Sequence, residues 1–188
     1  MPVPPPENAD LAFEGKMATV YTWPQTLFDG SIARFECYVR RDTVAVIAFL
    51  DRDTVLMTHQ EQPGRPDAFY DPPGGMVDPG ETPEQAAARE LFEETGYRAG
   101  SMELWHKDRY EGITRFEEFT YVAKDLVREA GHNTEDAGER IEVRPTKWKD
   151  AVEMSLKRGM RRNDAMLAIV GMEFDPEQRA RLETFLNA

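Results

Sequence analysis

The chain has 188 residues, enough for one well-packed domain. Its 35 acidic against 23 basic residues give a net charge of -12, which argues against a nucleic-acid backbone as partner. Cys37 is the single cysteine, so there is no intrachain disulfide framework, and no apolar run approaches the length of a membrane span. A cytoplasmic protein with no membrane partner is expected. The start, Met1-Pro2-Val3-Pro4, lacks the charge and apolar core of a signal peptide.

In chain order, residues 1 to about 15 read as a mobile Pro-rich leader. Met17 to Trp23 and Ala33 to Arg40 alternate apolar and polar residues, as two strands joined through a turn near Asp29-Gly30. The continuous apolar run Thr43 to Leu50 predicts a buried strand, and Thr54 to Thr58 its hairpin partner across the turn Asp51-Arg52-Asp53. Ala68 to Tyr70 is a short strand ahead of Pro72-Pro73-Gly74-Gly75, a stiff-then-permissive turn that can bring backbone close to a ligand. Met102 to Lys107, Glu117 to Val122 and Arg140 to Val143 read as further strands. Lys147 to Lys157, Asn163 to Met172 and Pro176 to Leu186 read as helices. The sum is α+β, an α/β/α sandwich with a mixed sheet and an N-terminal β-hairpin extension. Residues 1–40 form the leader and hairpin, and residues 41–188 the main domain with its C-terminal helices.

The chemistry concentrates between Gly75 and Tyr97. Thr82 is suited to cap a helix, Pro83 to its first position, and Gln85 to complete a capping box. Gly96 ends the helix where a left-handed residue is wanted. Glu90, Glu93 and Glu94 stand at i, i+3 and i+4, so three carboxylates project from one face. A solvated helix would interleave lysine or arginine among them. Hard divalent cations, which take oxygen ligands, are the better explanation, and Mg²⁺ (with Mn²⁺ as the substitute) also binds substrate phosphates. Arg89, set among these acids, is suited to holding carboxylates in place.

Gly75, Glu81, Arg89, Glu90, Leu91, Glu93, Glu94, Gly96 and Tyr97 fill, at the required spacing, every specified place of a pattern that resembles the Nudix hydrolase family. The resemblance implies the family's sandwich fold over roughly residues 40 to 172. It also implies a metal site of Glu90, Glu93 and Glu94 with the backbone carbonyl of Gly74, while Glu81 orients Arg89. The N-terminal hairpin is similar in layout to the ADP-ribose pyrophosphatase branch, whose N-terminal strands help form a homodimer and a shared substrate pocket. In that branch a loop glutamate helps activate the attacking water. Glu139 is the first choice here, followed by Glu135 and Asp136, with Glu93 as its catalytic companion. Two places depart from the branch. Gly112 and Ile113 stand where it often has a proline, and Gln62 stands near the place of an arginine.

The implied activity is hydrolysis of the diphosphate linkage of ADP-ribose or a nucleoside diphosphate sugar, a small-molecule nucleotide, giving a nucleoside monophosphate and a sugar phosphate. A nucleoside triphosphate pyrophosphohydrolase and a non-catalytic ligand sensor are the alternatives. Candidate substrate contacts are Trp23, which can stack on a base or serve as a dimer contact, Arg34, with Arg40 and Arg41, to neutralise a diphosphate across the dimer interface, and Gln62. Met160-Arg161-Arg162 is expected to cap the end of a helix, where cations are favoured by its dipole.

Overall fold

The apolar run that begins at Thr43 becomes the strand Thr43–Asp51 at the heart of the molecule, buried on both sides. In a computed structural model that describes residues 3–129, 135–136 and 138–188, ten strands form one mixed sheet. They are β1 (Asp10–Glu14), β2 (Ala18–Thr26), β3 (Ile32–Arg40), β4 (Thr43–Asp51), β5 (Thr54–Glu61), β6 (Phe69–Asp71), β7 (Tyr97–Glu111), β8 (Thr114–Arg128), β9 (Glu135–Asp136) and β10 (Glu139–Lys147). The helices are α1 (Pro83–Thr95), α2 (Trp148–Leu156), α3 (Asn163–Phe174) and α4 (Pro176–Asn187). The order across the sheet is β1-β2-β3-β8-β4-β5-β10-β9, with β6 paired to β5 and β7 to β8. β8 runs parallel to both β3 and β4, while the other pairs are antiparallel.

Side chains alternate across a strand, and β4 uses that period to build two cores. Val44, Val46 and Ala48 pack with Leu56, Phe119 and Tyr121 against Ala86, Ala87 and Leu91 of α1. Ile47 and Phe49 pack with Met57, Trp105 and Val122 against the face made by α2, α3 and α4, through Val152, Ile169, Met172 and Leu182. Helices therefore cover both sides of the sheet, the α/β/α arrangement that the sequence predicts. The alanines of α1 let it lie close to the sheet, and full burial of Leu91 contributes about 2 kcal/mol.

Two differences from the sequence reading have physical causes. The leader is not free: Val3 is buried, the Pro4 carbonyl accepts a 2.8 Å hydrogen bond from Arg115 Nη1, and Asp10–Glu14 pairs with β2. Pairing satisfies backbone groups along the β2 edge that local composition does not reveal. The two strands after the box are also far longer than predicted, fifteen residues each, because the β7–β8 hairpin continues to a tip at Gly112-Ile113 that docks on β3, where Tyr38 N–H donates to the Ile113 carbonyl at 2.8 Å. No helix among the described residues is long and apolar enough to cross a membrane.

Candidate functional site

α1 starts as its sequence dictates. Thr82 accepts at its hydroxyl from Gln85 N–H (3.2 Å), and the Gln85 side chain accepts from Thr82 N–H (2.9 Å), a complete capping box. Gly96 closes the helix with φ 75°, in the left-handed region where glycine carries no Cβ penalty. The helix is aimed at the Pro72–Val77 loop, which lies along β4. Val46 N–H donates to the Pro73 carbonyl (2.8 Å), Val44 N–H to the Gly75 carbonyl (2.9 Å), and Val77 N–H to the Asp42 carbonyl (2.9 Å). The approach is too close for side chains. A Cβ on Gly74 would lie 2.2 Å from the Val44 carbonyl oxygen, and one on Gly75 would lie 2.1 Å from Glu90 Oε1.

Between this loop and α1 lies a cleft of about 490 Å³. Glu90, Glu94, Gly74 and Gly75 line it together with Arg40, Arg41, Arg161 and Arg162, and Arg162 reaches the Gly74 carbonyl. Glu94 is buried; its Oε2 accepts from Gly74 N–H (3.0 Å) and its Oε1 from Gln60 Nε2 (3.3 Å). Burial pushes the Glu90 carboxyl above its ordinary pKa, against the pull of Arg89. Arg89 holds the acids apart and in place. It reaches Glu81 through Nε and Nη2 at 2.9 Å each, Glu90 and Glu93 through Nη1 at 2.8 and 2.9 Å, and the Met76 carbonyl through Nη2 at 3.0 Å. Chiefly through Glu81, Arg89 is held still more firmly protonated than usual.

The structure thus brings Gly74, Glu90, Glu94 and Gln62 around one cleft. Glu93 stands at the margin, turned toward Arg89 and half exposed. Among the described residues no three His, Cys, Asp or Glu side chains are gathered closely enough to hold a metal by themselves. The donors that fit a divalent cation are two carboxylates and a carbonyl, all hard oxygens lining one cleft, and a buried Glu94 one helical turn from the part-buried Glu90 calls for a counter-cation. Trp23 and Arg34 do not line this chain's cleft. The Trp23 indole donates to Gln25 Oε1 (3.1 Å) and meets Phe35 edge-on, while Arg34 donates to the Thr22 hydroxyl. Glu139 opens β10, but its side chain, with those of Glu135 and Asp136, falls outside the described residues.

The arginines of the cleft correct one expectation. Arg161 and Arg162 do not follow the end of a helix: α2 stops at Leu156, and Arg162 is the residue on which α3 begins. Both backbone N–H groups donate to Asp71 Oδ1, at 2.8 and 3.0 Å, and the Arg162 side chain donates to the Gly74 carbonyl. Burial pushes the Asp71 carboxyl up, opposed by the charge of Arg162. Asp71 and Gln60 were not among the sequence candidates. The adjacent arginines ahead of a helix start were the available signal, but the 90 residues separating Arg161 from Asp71 hide the contact.

The NUDIX domain model matches residues 39–168, more than two thirds of the chain, and the protein belongs to that family. An ADP-ribose pyrophosphatase of Bacillus subtilis (strain 168) is 34% identical over 87 residues, 46% of this chain and 47% of that one. A putative 8-oxo-dGTP diphosphatase of the same organism is 67% identical over 31 residues, 16% of this chain and 21% of that one. The chain thus spans about half or less of the length of these curated relatives. A crystal structure described as an ADP compounds hydrolase superposes with a TM-score of 0.68 over 92% of this chain and 95% of that one, at 20% identity, a likeness of fold.

Proposed function

We propose that this chain hydrolyses the diphosphate linkage of a nucleoside diphosphate joined to a second moiety, ADP-ribose or a nucleoside diphosphate sugar, with Mg²⁺ or Mn²⁺ as cofactor. The observation that carries the reading is one cleft lined both by acids, Glu90 and Glu94 beside Gly74, and by the arginines Arg40, Arg41, Arg161 and Arg162. The acids suit a divalent cation and the arginines a diphosphate. The names borne by the B. subtilis relative and the structural neighbour support the same substrate class.

When bound, the cation would stabilise charge on phosphoryl oxygens and lower the pKa of a water. Glu90, Glu94 and the Gly74 carbonyl would hold it, with Glu93 completing the set once released from Arg89. The arginines of the cleft bind the phosphates, and a loop acid, Glu139 by preference, takes the proton of the attacking water. Residues 1–40 would supply the dimer contact, and Trp23 and Arg34, on β2 and β3, would reach the substrate bound by a partner copy. That arm leaves Leu11, Phe13, Ile32 and Phe35 exposed.

The test is nucleotide release with Mg²⁺ from a panel of ADP-ribose, nucleoside diphosphate sugars, dinucleoside polyphosphates and nucleoside triphosphates. Turnover of ADP-ribose or a sugar diphosphate supports the proposal. Activity confined to triphosphates favours the pool-sanitising alternative, to which the short match with the 8-oxo-dGTP diphosphatase points. Silence across the panel favours a ligand sensor.

A further inference from the structure

Arg162 sits on the Gly74 carbonyl, one of the oxygens assigned above to the cation. Its side chain is about nine-tenths buried; one end donates to the Gly74 carbonyl, and Nε lies 3.8 Å from Asp71 Oδ2. It cannot drift away with its segment, because the backbone N–H groups of Arg161 and Arg162 are both fixed on Asp71 Oδ1. Its positive charge also acts, more weakly than that of Arg89, on the Glu90 carboxyl. The same Gly74 whose carbonyl takes Arg162 gives its N–H to Glu94. One guanidinium therefore occupies the Gly74 carbonyl, an oxygen that would serve a divalent ion, beside the Asp71 carboxylate.

The fit is incomplete. Nε is buried and makes no hydrogen bond, so the guanidinium leaves a donor unused where it is desolvated. A guanidinium forks onto phosphate oxygens with two parallel hydrogen bonds, and Arg40, Arg41 and Arg161 line the same cleft, where a phosphate would draw it. A divalent ion on Gly74 and a guanidinium on the same carbonyl exclude each other, by space and by like charge.

We propose that Arg162 is a resident cation that closes the metal site, competes with the divalent ion for the Gly74 carbonyl, and transfers to the substrate's phosphate when the site fills. This rests on the assignment of Gly74, Glu90 and Glu94 to the divalent cation. Two consequences follow. The free protein binds the metal more weakly than its ligands allow, and a diphosphate, by drawing Arg162 away, strengthens metal binding. The competition also separates this role from a merely structural one. A residue that only braced the loop would weaken metal binding when removed, whereas a competitor strengthens it.

The experiment measures Mn²⁺ affinity without substrate, by calorimetry, for the wild type, Arg162→Gln and Glu94→Gln. If Arg162 holds the carbonyl about nine-tenths of the time, Arg162→Gln binds Mn²⁺ about tenfold more tightly, while Glu94→Gln binds more weakly. Unchanged or weaker binding in a folded Arg162→Gln, with Glu94→Gln weakened, overturns the competition and leaves the site assignment standing. Wild-type affinity in Glu94→Gln overturns both. Because Arg162→Gln strips a buried aspartate of its cation and can fail to fold, the wild type is also followed by NMR at the arginine Nε–H groups, with Arg162→Lys used to identify the signal. Saturating Mg²⁺ speeds exchange of the Arg162 Nε–H with water by about tenfold or more if the side chain is released. An Nε–H that stays as protected as before overturns the proposal.

Discussion

Arg89 grips Glu81 through two parallel hydrogen bonds, Nε to Oε1 and Nη2 to Oε2, each 2.9 Å long. With Nη1 divided between Glu90 and Glu93, one guanidinium sets the positions of three carboxylates. The fork geometry belongs to arginine alone. Arg89→Lys is expected to lose about 2 kcal/mol of stability, since a point charge cannot replace five directed bonds. Urea denaturation measures the loss, and Arg89→Lys as stable as the wild type would refute the clamp.

Glu94 is the most deeply buried acid of α1 and is fixed by Gln60 and the Gly74 N–H. Glu94→Gln is expected to fold, since an amide fits the same space, and to lose at least about two orders of magnitude in turnover. Steady-state release of nucleoside monophosphate from ADP-ribose, beside a circular dichroism spectrum, checks both halves. Near wild-type turnover would sink the metal assignment.

A second acidic pair feels the charge of Arg162 and Arg40. Glu118 of β8 stands in register with Thr43 and hydrogen-bonds Asp164 of α3, whose carboxylate also accepts from the Tyr110 hydroxyl at 2.8 and 3.0 Å. Burial, then the charge of Asp164, pushes the Glu118 carboxyl up to about 7. A carboxyl whose pKa is higher folded than unfolded takes up protons on folding, so its contribution is full below the unfolded value of 4.5 and is lost as pH rises through about 7. Denaturation from about pH 5 to about pH 8 is expected to show a fall of at least about 1 kcal/mol. Glu118→Gln should flatten that slope, and an equal slope in the mutant would assign the effect elsewhere.

The arm of β1, β2 and β3 exposes Phe13 and Ile32 by more than half their surface. Sedimentation equilibrium is expected to give about twice the chain mass, because apolar side chains on an edge of paired strands are usually covered. Ile32→Asp should shift the equilibrium at least about tenfold toward monomer, as expected for a charge placed in an apolar contact. A wild-type protein that stays monomeric at high concentration would remove this arm from the interface.

What the sequence determined by itself was local. The capping box of Thr82 and Gln85, the glycine at 96, the i, i+4 stacking of Glu90 and Glu94, and the twofold burial of β4 depend on residues within a few positions of one another, so spacing alone reveals them. The acidic side chains of the cleft were legible for that reason. Only the tertiary structure decided which basic residues join them. Asp71 receives Arg161 and Arg162 across some 90 residues, Glu118 meets Asp164 where a helix start lands on a strand, and β1 finds its partner in the edge of β2. Such contacts are set by how the two helical layers close over the sheet, and no local spacing encodes that closure.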